Sequence, residues 1–428
     1  MIKNINLKTI ITNLCCFVIL FFPFNSTIAN KIYPKYSLTY ISVTIAILVL
    51  VLLGNIKRIK KTQLIIFGVT LIIALVEVVT NKYVGSAKMF LFTAYLFLPF
   101  AISINQDSID GFKKILKLFA IEHLFFTYLA TFFSTFYASN ILPFLDSISG
   151  SLAISHFNSG FNPGLTTHYS TNGMYLSIFC IFFFSNFLCA KNKKNFIILI
   201  IALIGLLLVG KRGAAIFTII ACIIMYFVIN KKKISNKIFN FTFLFLGFIL
   251  ILYISSSFIP QVTIVFDRFM NTIDNGGDLM TGRGAFYELA FSIWKNNIFF
   301  GNGWGAFSNY YQIELYTVFG VPYLDAHNVY IQLLCEMGLV GATLLIGLML
   351  LIAFKTFKRV REIKEKYRDI IIFSFGYQVF FLLYCFSGNP LYDAQCYVIY
   401  FICIGIYLVT EMLERSKKIN EKNRNSNI

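Results

Sequence analysis

Charged residues are scarce in this chain of 428 residues: Asp, Glu, Lys and Arg make up 13% of it, against 58% hydrophobic residues. Soluble domains carry about 25% charged residues, so this composition excludes a single soluble globular domain. Apolar runs long enough to cross a bilayer recur along the whole chain. We therefore predict an all-α, polytopic integral membrane protein with about 12 transmembrane helices.

The apolar runs predict the positions of these helices to within a few residues. The runs lie at 9–28, 37–54, 62–80, 88–104, 115–137, 173–190, 195–210, 213–229, 238–258, 328–354, 370–386 and 395–412. The chain then divides into an N-terminal transmembrane bundle (1–258), an extracytoplasmic loop that carries short amphipathic helices (259–327), and a C-terminal bundle with a cytoplasmic tail (328–428).

Basic residues outnumber acidic residues by 37 to 19, and their distribution orients the predicted helices. With the N-terminus inside, about 28 of the 37 Lys and Arg residues fall in cytoplasmic segments, as the positive-inside rule requires. Both termini are therefore predicted to be cytoplasmic. We attribute the net charge of +18 to orientation and to contact with anionic lipid, and predict no nucleic-acid partner.

The first apolar run follows Lys3 and Lys8, as the apolar region of a signal peptide would. The run is long for a signal peptide and contains Pro23, which favours a retained membrane anchor. Cleavage of this run would leave the orientation of the other predicted helices unchanged.

The nine cysteines show no metal-binding spacing: there is no CxxC motif and no Cys/His pattern. We expect no metal and no disulfide framework. Cys385 and Cys396 flank one short outer loop and could meet there, but we favour their interpretation as small buried thiols. A glycine-rich phosphate-binding motif is also missing, so no cofactor is predicted and any substrate has to carry its own energy.

Two adjacent cations, Lys211 and Arg212, lie in a tight turn on the outer side, against the positive-inside rule. Snorkelling to lipid headgroups is one explanation. We favour anion binding, because the planar fork of an arginine can hold two phosphate oxygens at once. His168, in the polar outer segment 139–172, is a further predicted substrate-binding residue.

The long outer loop contains two more arginines of interest. Arg283 precedes apolar residues at helical spacing that end at Trp294, a pattern that predicts an amphipathic helix in the membrane interface. The amides at the start of that helix, together with Arg283, would form an anion site; a solvated loop arginine is the alternative. Arg268 is also predicted to bind substrate, although a local salt bridge with Asp267 explains it equally well.

His327 begins the tenth predicted span, where the long polar loop returns to the membrane. Histidine accepts a proton near neutral pH, so His327 is a candidate general base. Asp325 is placed to orient its ring, and Asn328 follows directly. Glu336 lies about 14 Å further along the helix axis. It therefore cannot reach the same substrate atom and is expected to pair with another span or a neighbouring loop.

The spacing His327-Asn328, nine residues, Gly338, two residues, Gly341 resembles a pattern of the O-antigen ligase and O-antigen polymerase family of bacterial membrane glycosyltransferases. The two glycines are expected to give a smooth patch for close helix packing. Three further features are similar: Thr281-Gly-Arg283, the run Gly301-Asn-Gly303-Trp304-Gly305, and the turn at Arg212, where many relatives have a small residue in place of Lys211. The resemblance covers roughly residues 205–345.

The resemblance implies an enzyme that takes a glycan from polyprenyl diphosphate on the outer face of the bacterial cytoplasmic (inner) membrane. Arg212 and Arg283 would hold the diphosphate and stabilise the leaving charge, and His327 would act as general base or position the acceptor hydroxyl. These three are the predicted catalytic residues, and the loop 259–327 is the predicted catalytic loop. The other predicted substrate-binding residues are Lys211, Arg268, Asp325, Asn328, Glu336 and His168. The implied partners are the lipid-linked glycan, the bilayer, a chain-length regulator and a flippase.

Two functions within the family stay open. A polymerase joins repeat units into an O-antigen or capsular polysaccharide on the carrier, whereas a ligase moves the glycan to lipid A-core or another acceptor. We favour the polymerase, because the outer loop is modest in length and shows no acceptor-specific feature. From other classes, a lipid-linked oligosaccharide flippase would use Glu77, Glu122 and His123 inside the membrane, and a non-catalytic subunit is the remaining alternative.

Overall fold

Helices are the only regular elements in the part of the chain that the computed structural model describes. The described residues are 6–32, 36–55, 86–149, 152–230, 283–314, 324–363 and 367–425, with a few single positions between them. Six of the described helices are long and apolar enough to cross a membrane. The prediction of an all-α, polytopic membrane protein is therefore confirmed.

We number the described helices in chain order. They are α1 (Leu7–Phe24), α2 (Ser26–Ile32), α3 (Tyr36–Leu52), α4 (Ser86–Leu96), α5 (Leu98–Ile104), α6 (Asp107–Phe132), α7 (Ser134–Asn140), α8 (Leu142–Ser149), α9 (Leu152–Asn158), α10 (Tyr169–Ala190), α11 (Lys193–Leu208), α12 (Arg212–Ile229), α13 (Arg283–Asn296), α14 (Ala306–Glu314), α15 (Val329–Glu362), α16 (Arg368–Tyr384) and α17 (Ala394–Asn425).

The predicted spans that lie within the described residues all contain helix, whereas 62–80 and 238–258 lie almost entirely outside those residues. The six helices with the length and composition of a membrane span are α1, α6, α10, α12, α15 and the first part of α17, Ala394–Leu413. The total of about 12 spans therefore stays a prediction. The division of the chain at 258 and 327 stays a prediction as well.

Some helix ends differ from the predicted ones for identifiable reasons. The run 88–104 was expected to form one span, but a turn separates α4 from α5, and Pro99 lies in the first turn of α5. Proline removes one helical hydrogen bond and clashes with the preceding turn, so the helix is interrupted there. In contrast, α15 and α17 continue well past their apolar runs, because a helix can extend into water beyond the bilayer.

Contacts divide the chain into two units. The first consists of Met1–Phe24, Ile32–Leu116 and Arg283–Ile428. Within it, α17 packs along α5 and α16, while α15 packs along α13 and α16. Gly405 of α17 lies directly against the Ile102 side chain of α5, which lets these two helices approach closely.

The second unit consists of Asn25–Lys31 and Lys117–Gly282. Its centre is α10, which packs against both α11 and α12. The segment before α10 contains the short helices α7, α8 and α9, which were not predicted and which share a small apolar core around Tyr137 and Leu145. Glu122 accepts a hydrogen bond from the Asn25 amide at 3.1 Å. His123 is buried with its ring centroid 4.6 Å from that of Tyr175.

Candidate functional site

The predicted amphipathic helix is present as α13, and it packs against the start of α15. Its apolar residues at positions 286, 289, 290 and 293 are buried, as the three- and four-residue spacing indicates. They form one core with Phe307 and Tyr311 of α14, with Ala326, and with Cys335 of α15. The core therefore joins the helix that begins with Arg283 to the segment that leads into His327.

Helix α15 is broken at Gly338, whose backbone angles are φ 66° and ψ −174°. The connection between α13 and α14 enters this break and makes backbone hydrogen bonds on both sides of it. The bonds are Asn302 N–H to Cys335 O (3.2 Å), Gly303 N–H to Glu336 O (2.9 Å), Leu339 N–H to Ile298 O (2.9 Å) and Val340 N–H to Phe299 O (3.1 Å). The carbonyls and amides that the break releases are thus satisfied by the loop. We call this arrangement the loop clip.

Glycine is required on both sides of the loop clip. A Cβ atom on Gly301 would collide with the backbone of Glu336 and Gly338, and a Cβ on Gly338 would collide with the backbone of Phe299 and Gly301. The expectation that Gly338 gives a smooth surface for another helix is therefore wrong. Its absent side chain admits a loop into a broken helix, and Gly341 faces the Met337 side chain of its own helix.

His327 lies two residues before the first residue of α15 and has a left-handed backbone, with φ 54°. Such a conformation is uncommon for any residue except glycine, although histidine is among the residues that adopt it more often. The His327 N–H donates to the side-chain oxygen of the buried Asn389 at 3.1 Å. Its ring lies with its centroid 6.1 Å from that of Phe286 on α13. His327 is therefore held from the α16–α17 connection on one side and contacts α13 on the other.

Asn328 caps α15. Its side-chain oxygen accepts hydrogen bonds from the backbone N–H groups of Tyr330 at 3.0 Å and Ile331 at 3.2 Å. Asparagine is a preferred residue at this position because it satisfies amides that the first helical turn leaves without partners. The structure thus gives Asn328 a role in placing the residue before it; its predicted contact with substrate stays a prediction.

A chain of polar side chains runs from the His327 segment into the protein. Asp325 accepts from Ser308 Oγ at 3.1 Å and from Gln332 Nε2 at 3.0 Å. The same Gln332 nitrogen donates to Glu336 Oε1 at 3.2 Å, and Glu336 Oε2 accepts from the Tyr392 hydroxyl at 2.7 Å. Glu336 therefore pairs with a neighbouring loop, one of the two options predicted for it.

Tyr392 lies in the α16–α17 connection, outside the spans. Burial raises the pKa of its hydroxyl well above the usual value, and the nearby Glu336 carboxylate adds to that rise. The hydroxyl therefore stays protonated and can keep donating to Glu336. The Trp304 ring stacks on Tyr392, with 4.6 Å between centroids. This contact links the glycine-rich run of the loop clip to the α16–α17 connection.

Sequence reasoning did not identify Gln332, Tyr392, Ser308 or Asn389. The available signal was the four-residue spacing of Asn328, Gln332 and Glu336, which puts three polar side chains on one face of an otherwise apolar helix. The partners in other loops carry no such signal.

In the second unit, three residues separate α11 from α12, so the predicted tight turn is present. Gly210 within it has φ 81°, and the carbonyl of Val209 accepts from the Asn162 N–H at 3.3 Å. The stem of Lys211 packs against the first turns of α10: a Cβ on Gly173 would lie 2.9 Å from Lys211 Cβ. Arg212 is the first residue of α12 and is partly exposed.

Four rings at the start of α10 form a cluster beside Lys211, which we call the ring cluster: His156, Phe161, His168 and Tyr169. The Lys211 ammonium lies 5.9 Å from the Tyr169 ring centroid, and the two histidine rings are 4.3 Å apart. His168 caps α10, because its Nδ1 accepts from the Ser170 N–H at 3.0 Å. Burial lowers the pKa of His156. His168 and Lys211 thus both lie beside the Tyr169 ring, and their binding of substrate stays a prediction.

A buried network of amides and hydroxyls anchors the segment that precedes α10 in the second unit. The Asn162 amide donates to Thr127 O at 2.8 Å and Thr131 Oγ1 at 3.0 Å, both on α6. Asn172 of α10 donates to Asn162 O and to Thr127 Oγ1, each at 3.1 Å. These bonds satisfy polar groups that have no access to water, and so they fix the chain that leads to His168.

The predicted site residues therefore divide between the two units. Arg283, Asp325, His327, Asn328 and Glu336 lie in the first, around the start of α15. His168, Lys211 and Arg212 lie in the second, at the starts of α10 and α12. Arg268 lies outside the described residues. All nine cysteines are free thiols, and no group of three or more His, Cys, Asp and Glu side chains could hold a metal within the described ranges.

Residues 197–346 match a family model described as O-antigen ligase. The matched part runs from α11 into α15 and contains the three predicted catalytic residues Arg212, Arg283 and His327. No curated protein matches the chain significantly. The resemblance to the O-antigen ligase and polymerase family is confirmed, and it supports a function of the ligase or polymerase type in general.

Proposed function

We propose that this chain is a glycan polymerase of the bacterial cytoplasmic membrane. Its residues 197–346 match the model of the O-antigen ligase family. It joins repeat units that are linked to polyprenyl diphosphate, on the outer face of the membrane. The acceptor is the terminal hydroxyl of a second lipid-linked glycan, and the product stays on a lipid carrier.

In the proposed reaction, the acceptor oxygen forms a bond to the anomeric carbon of the donor glycan. The bond between that carbon and the diphosphate oxygen breaks, and polyprenyl diphosphate leaves with the bonding electrons. His327 takes the proton from the acceptor hydroxyl. Arg283 and Arg212 offset the negative charge that develops on the diphosphate, for which a planar two-pronged donor is well suited. The donor supplies the energy, so the reaction requires no nucleotide.

The observation that carries this proposal is the setting of His327. Its left-handed backbone is anchored by Asn389, and Asp325 two residues earlier is held by Ser308 and Gln332. Uncommon backbone conformations that the surroundings enforce are frequent at functional sites. Several separate contacts thus define the position of one partly exposed imidazole, which a general base requires.

The position of Arg283 supports the same assignment. Arg283 precedes Phe286 by three residues on α13, and residues three apart lie on the same face of a helix. The Phe286 ring contacts the ring of His327, the proposed base. Arg283 therefore lies about one helical turn from a residue that contacts the base. An anion held at the start of α13 would also meet the amides of its first turn.

The ligase is the second candidate, because the matching family model is described as O-antigen ligase. A ligase would use the same donor chemistry and the same three residues but a different acceptor, such as lipid A-core. The two functions therefore differ in the product and not in the proposed catalytic groups.

The experiment uses cells that lack the gene and carry either the wild type or one of three variants, Arg212→Ala, Arg283→Ala and His327→Ala. Lipid-linked and surface glycans are separated on gels, and membrane insertion is checked by fractionation. We expect each variant to insert normally and to lower product by at least about 100-fold. Lys295→Ala is the matched control, because Lys295 is an exposed cation at the far end of α13. It should leave the product unchanged.

The products identify the function. Single repeats in the variants and a ladder in the wild type indicate a polymerase, whereas long chains that stay on the carrier indicate a ligase. Normal glycan in all three variants would falsify the enzyme assignment. Repeat units trapped inside cells that lack the gene would then favour transport.

A further inference from the structure

Both donors and the acceptor oxygen of the Gln332 amide have hydrogen-bond partners within the protein. It lies on the first turn of α15 and is fully buried. Its amide nitrogen donates to Asp325 Oδ1 at 3.0 Å and to Glu336 Oε1 at 3.2 Å. Its oxygen accepts from the Ala326 N–H at 3.0 Å. An amide has two N–H donors and a carbonyl acceptor, so each group has a partner.

Two of these three partners immediately precede His327. Gln332 fixes the side chain of Asp325 and the backbone of Ala326, while Asn389 fixes the backbone N–H of His327 itself. The orientation of the His327 side chain is therefore set by two amide side chains, that of Gln332 in α15 and that of Asn389 in the α16–α17 connection. Each of them removes freedom that a left-handed residue in a loop would otherwise retain.

The third partner ties this segment to a buried carboxyl group. Glu336 is 1% exposed and also accepts from the Tyr392 hydroxyl at 2.7 Å. A buried polar chain is costly unless every member is satisfied. An apolar side chain at position 332 would remove one donor from Asp325 and one from Glu336, whereas a carboxylate there would repel them. Among side chains of this size, the amide alone donates to two acids and still accepts from a backbone N–H.

We propose that Gln332 is a positioning residue for His327: it holds Asp325 and Ala326 so that the imidazole points at the acceptor hydroxyl. This inference rests on the proposed function, and it adds a residue to which neither the sequence pattern nor the family match gives a role. Gln332 does not touch substrate. It acts by keeping the proposed base in one geometry, and displacement of a catalytic group by about 1 Å can lower a rate about 100-fold.

The test compares Gln332→Met with Gln378→Met in purified full-length protein, in lipid nanodiscs, with lipid-diphosphate-linked repeat units as substrate. Gln378 is an equally buried amide in α16 that bonds to Thr356 and Ser374, away from His327. Both changes keep the side-chain length and remove buried hydrogen bonds. We expect Gln332→Met to lower kcat between about 10-fold and 100-fold, with the KM for the donor changed by less than about two-fold. Gln378→Met should lower the melting temperature similarly but leave kcat unchanged.

A second variant covers the case in which Gln332→Met does not fold. Gln332→Glu keeps the acceptor for Ala326 N–H but places a third carboxyl group between Asp325 and Glu336. Its rate relative to the wild type should rise as the pH falls, because the added carboxyl group then takes up a proton and donates again. A merely structural role would give a ratio that does not change with pH.

The outcomes separate this inference from the proposed function. If His327→Ala is inactive while folded Gln332→Met and Gln332→Glu turn over as fast as the wild type, the positioning role is wrong and the enzyme assignment stands. If kcat falls alike in Gln332→Met and Gln378→Met, the role of Gln332 is general stability. If the wild type itself transfers no glycan, the proposed function fails, and the positioning role fails with it.

Discussion

Predicted site residues lie at the starts of α15 and α12, one helix in each unit, and they are held in different ways. At α15, Asn328 caps the helix with two hydrogen bonds, and His327 before it has a left-handed backbone. At α12, the residue in the capping position is Lys211, with φ −88° and no capping hydrogen bond from its side chain. Lys211 is held instead by packing on Gly173 and by its position near the Tyr169 ring.

The difference matches the chemistry proposed for each place. A general base has to hold one nitrogen at hydrogen-bonding distance from one hydroxyl, so a network of directional bonds around His327 suits it. A diphosphate carries its charge over several oxygens, and a cation attracts it over a range of distances and angles. Packing of the Lys211 stem is sufficient for that task. We therefore expect small atomic changes to matter more at α15 than at α12.

The largest effect is expected at the loop clip. Gly338→Ala puts a side chain where only the loop backbone fits, at backbone angles that are essentially restricted to glycine. The free energy of unfolding should fall by at least about 3 kcal/mol, and the yield of folded protein should fall with it. The measurement is thermal unfolding of the protein in detergent, followed by size-exclusion chromatography.

Gly347→Ala is the matched control for this prediction. Gly347 lies on the same helix, and a Cβ there would meet nothing within 4 Å. Because alanine favours a helix more than glycine does, Gly347→Ala should stabilise the protein by about 0.5–1 kcal/mol. Equal melting temperatures for Gly338→Ala and the wild type would show that the break in α15 is not needed.

An intermediate effect is expected at the two first turns themselves. Asn328→Ala removes the cap of α15 and should cost about 1 kcal/mol. It should also lower glycan transfer, since His327 directly precedes Asn328. Lys211→Met keeps the packed stem and removes only the charge, so it should lower the melting temperature less than Asn328→Ala does. Melting temperatures and transfer rates of the two variants are measured side by side.

Asn328→Asp is the control for the capping effect, because aspartate caps helices as well as asparagine does. It should restore most of the stability that Asn328→Ala loses. A larger loss of stability in Lys211→Met than in Asn328→Ala would reverse the comparison between the two helix starts.

The sequence predicted those features that depend on local pattern. Apolar runs placed the helices, and the spacing of residues 286, 289, 290 and 293 predicted α13 with its buried face. Helix α15 begins at residue 329, one residue from the start predicted for the tenth span at the end of the polar loop. These features are set by residues within a few turns of one another, so hydrophobic periodicity is enough to find them.

The features that depend on distant partners were not predicted. Gly338 has the same neighbours in sequence whether it faces a helix or admits a loop, and only the arrival of the Gly301 backbone decides between them. Tyr392 meets Glu336 through a connection that follows an entire further helix. Asn389 reaches His327 in the same way. Tertiary contacts of this kind leave no periodic signal in the chain.

The smallest effect is expected in the ring cluster, and it depends on pH. Burial lowers the pKa of His156 in the folded protein, whereas an unfolded histidine has a pKa of about 6.5. The unfolded state therefore binds the proton more readily. The contribution of His156 to stability is complete above about pH 6.5 and is lost as the pH falls below that value towards the lowered folded pKa. Acid should loosen α9 and the start of α10, which can be followed by hydrogen exchange at about pH 7.5 and about pH 5.5.

Two variants identify the titrating group. His156→Phe keeps an aromatic ring in the cluster but cannot be protonated, so its hydrogen exchange should change less between the two pH values than that of the wild type. His168 also has to stay neutral at Nδ1, because that atom accepts from the Ser170 N–H. His168→Asn keeps a capping side chain without titration. If His168→Asn removes the acid sensitivity and His156→Phe does not, the helix cap of α10 is the group that responds to acid.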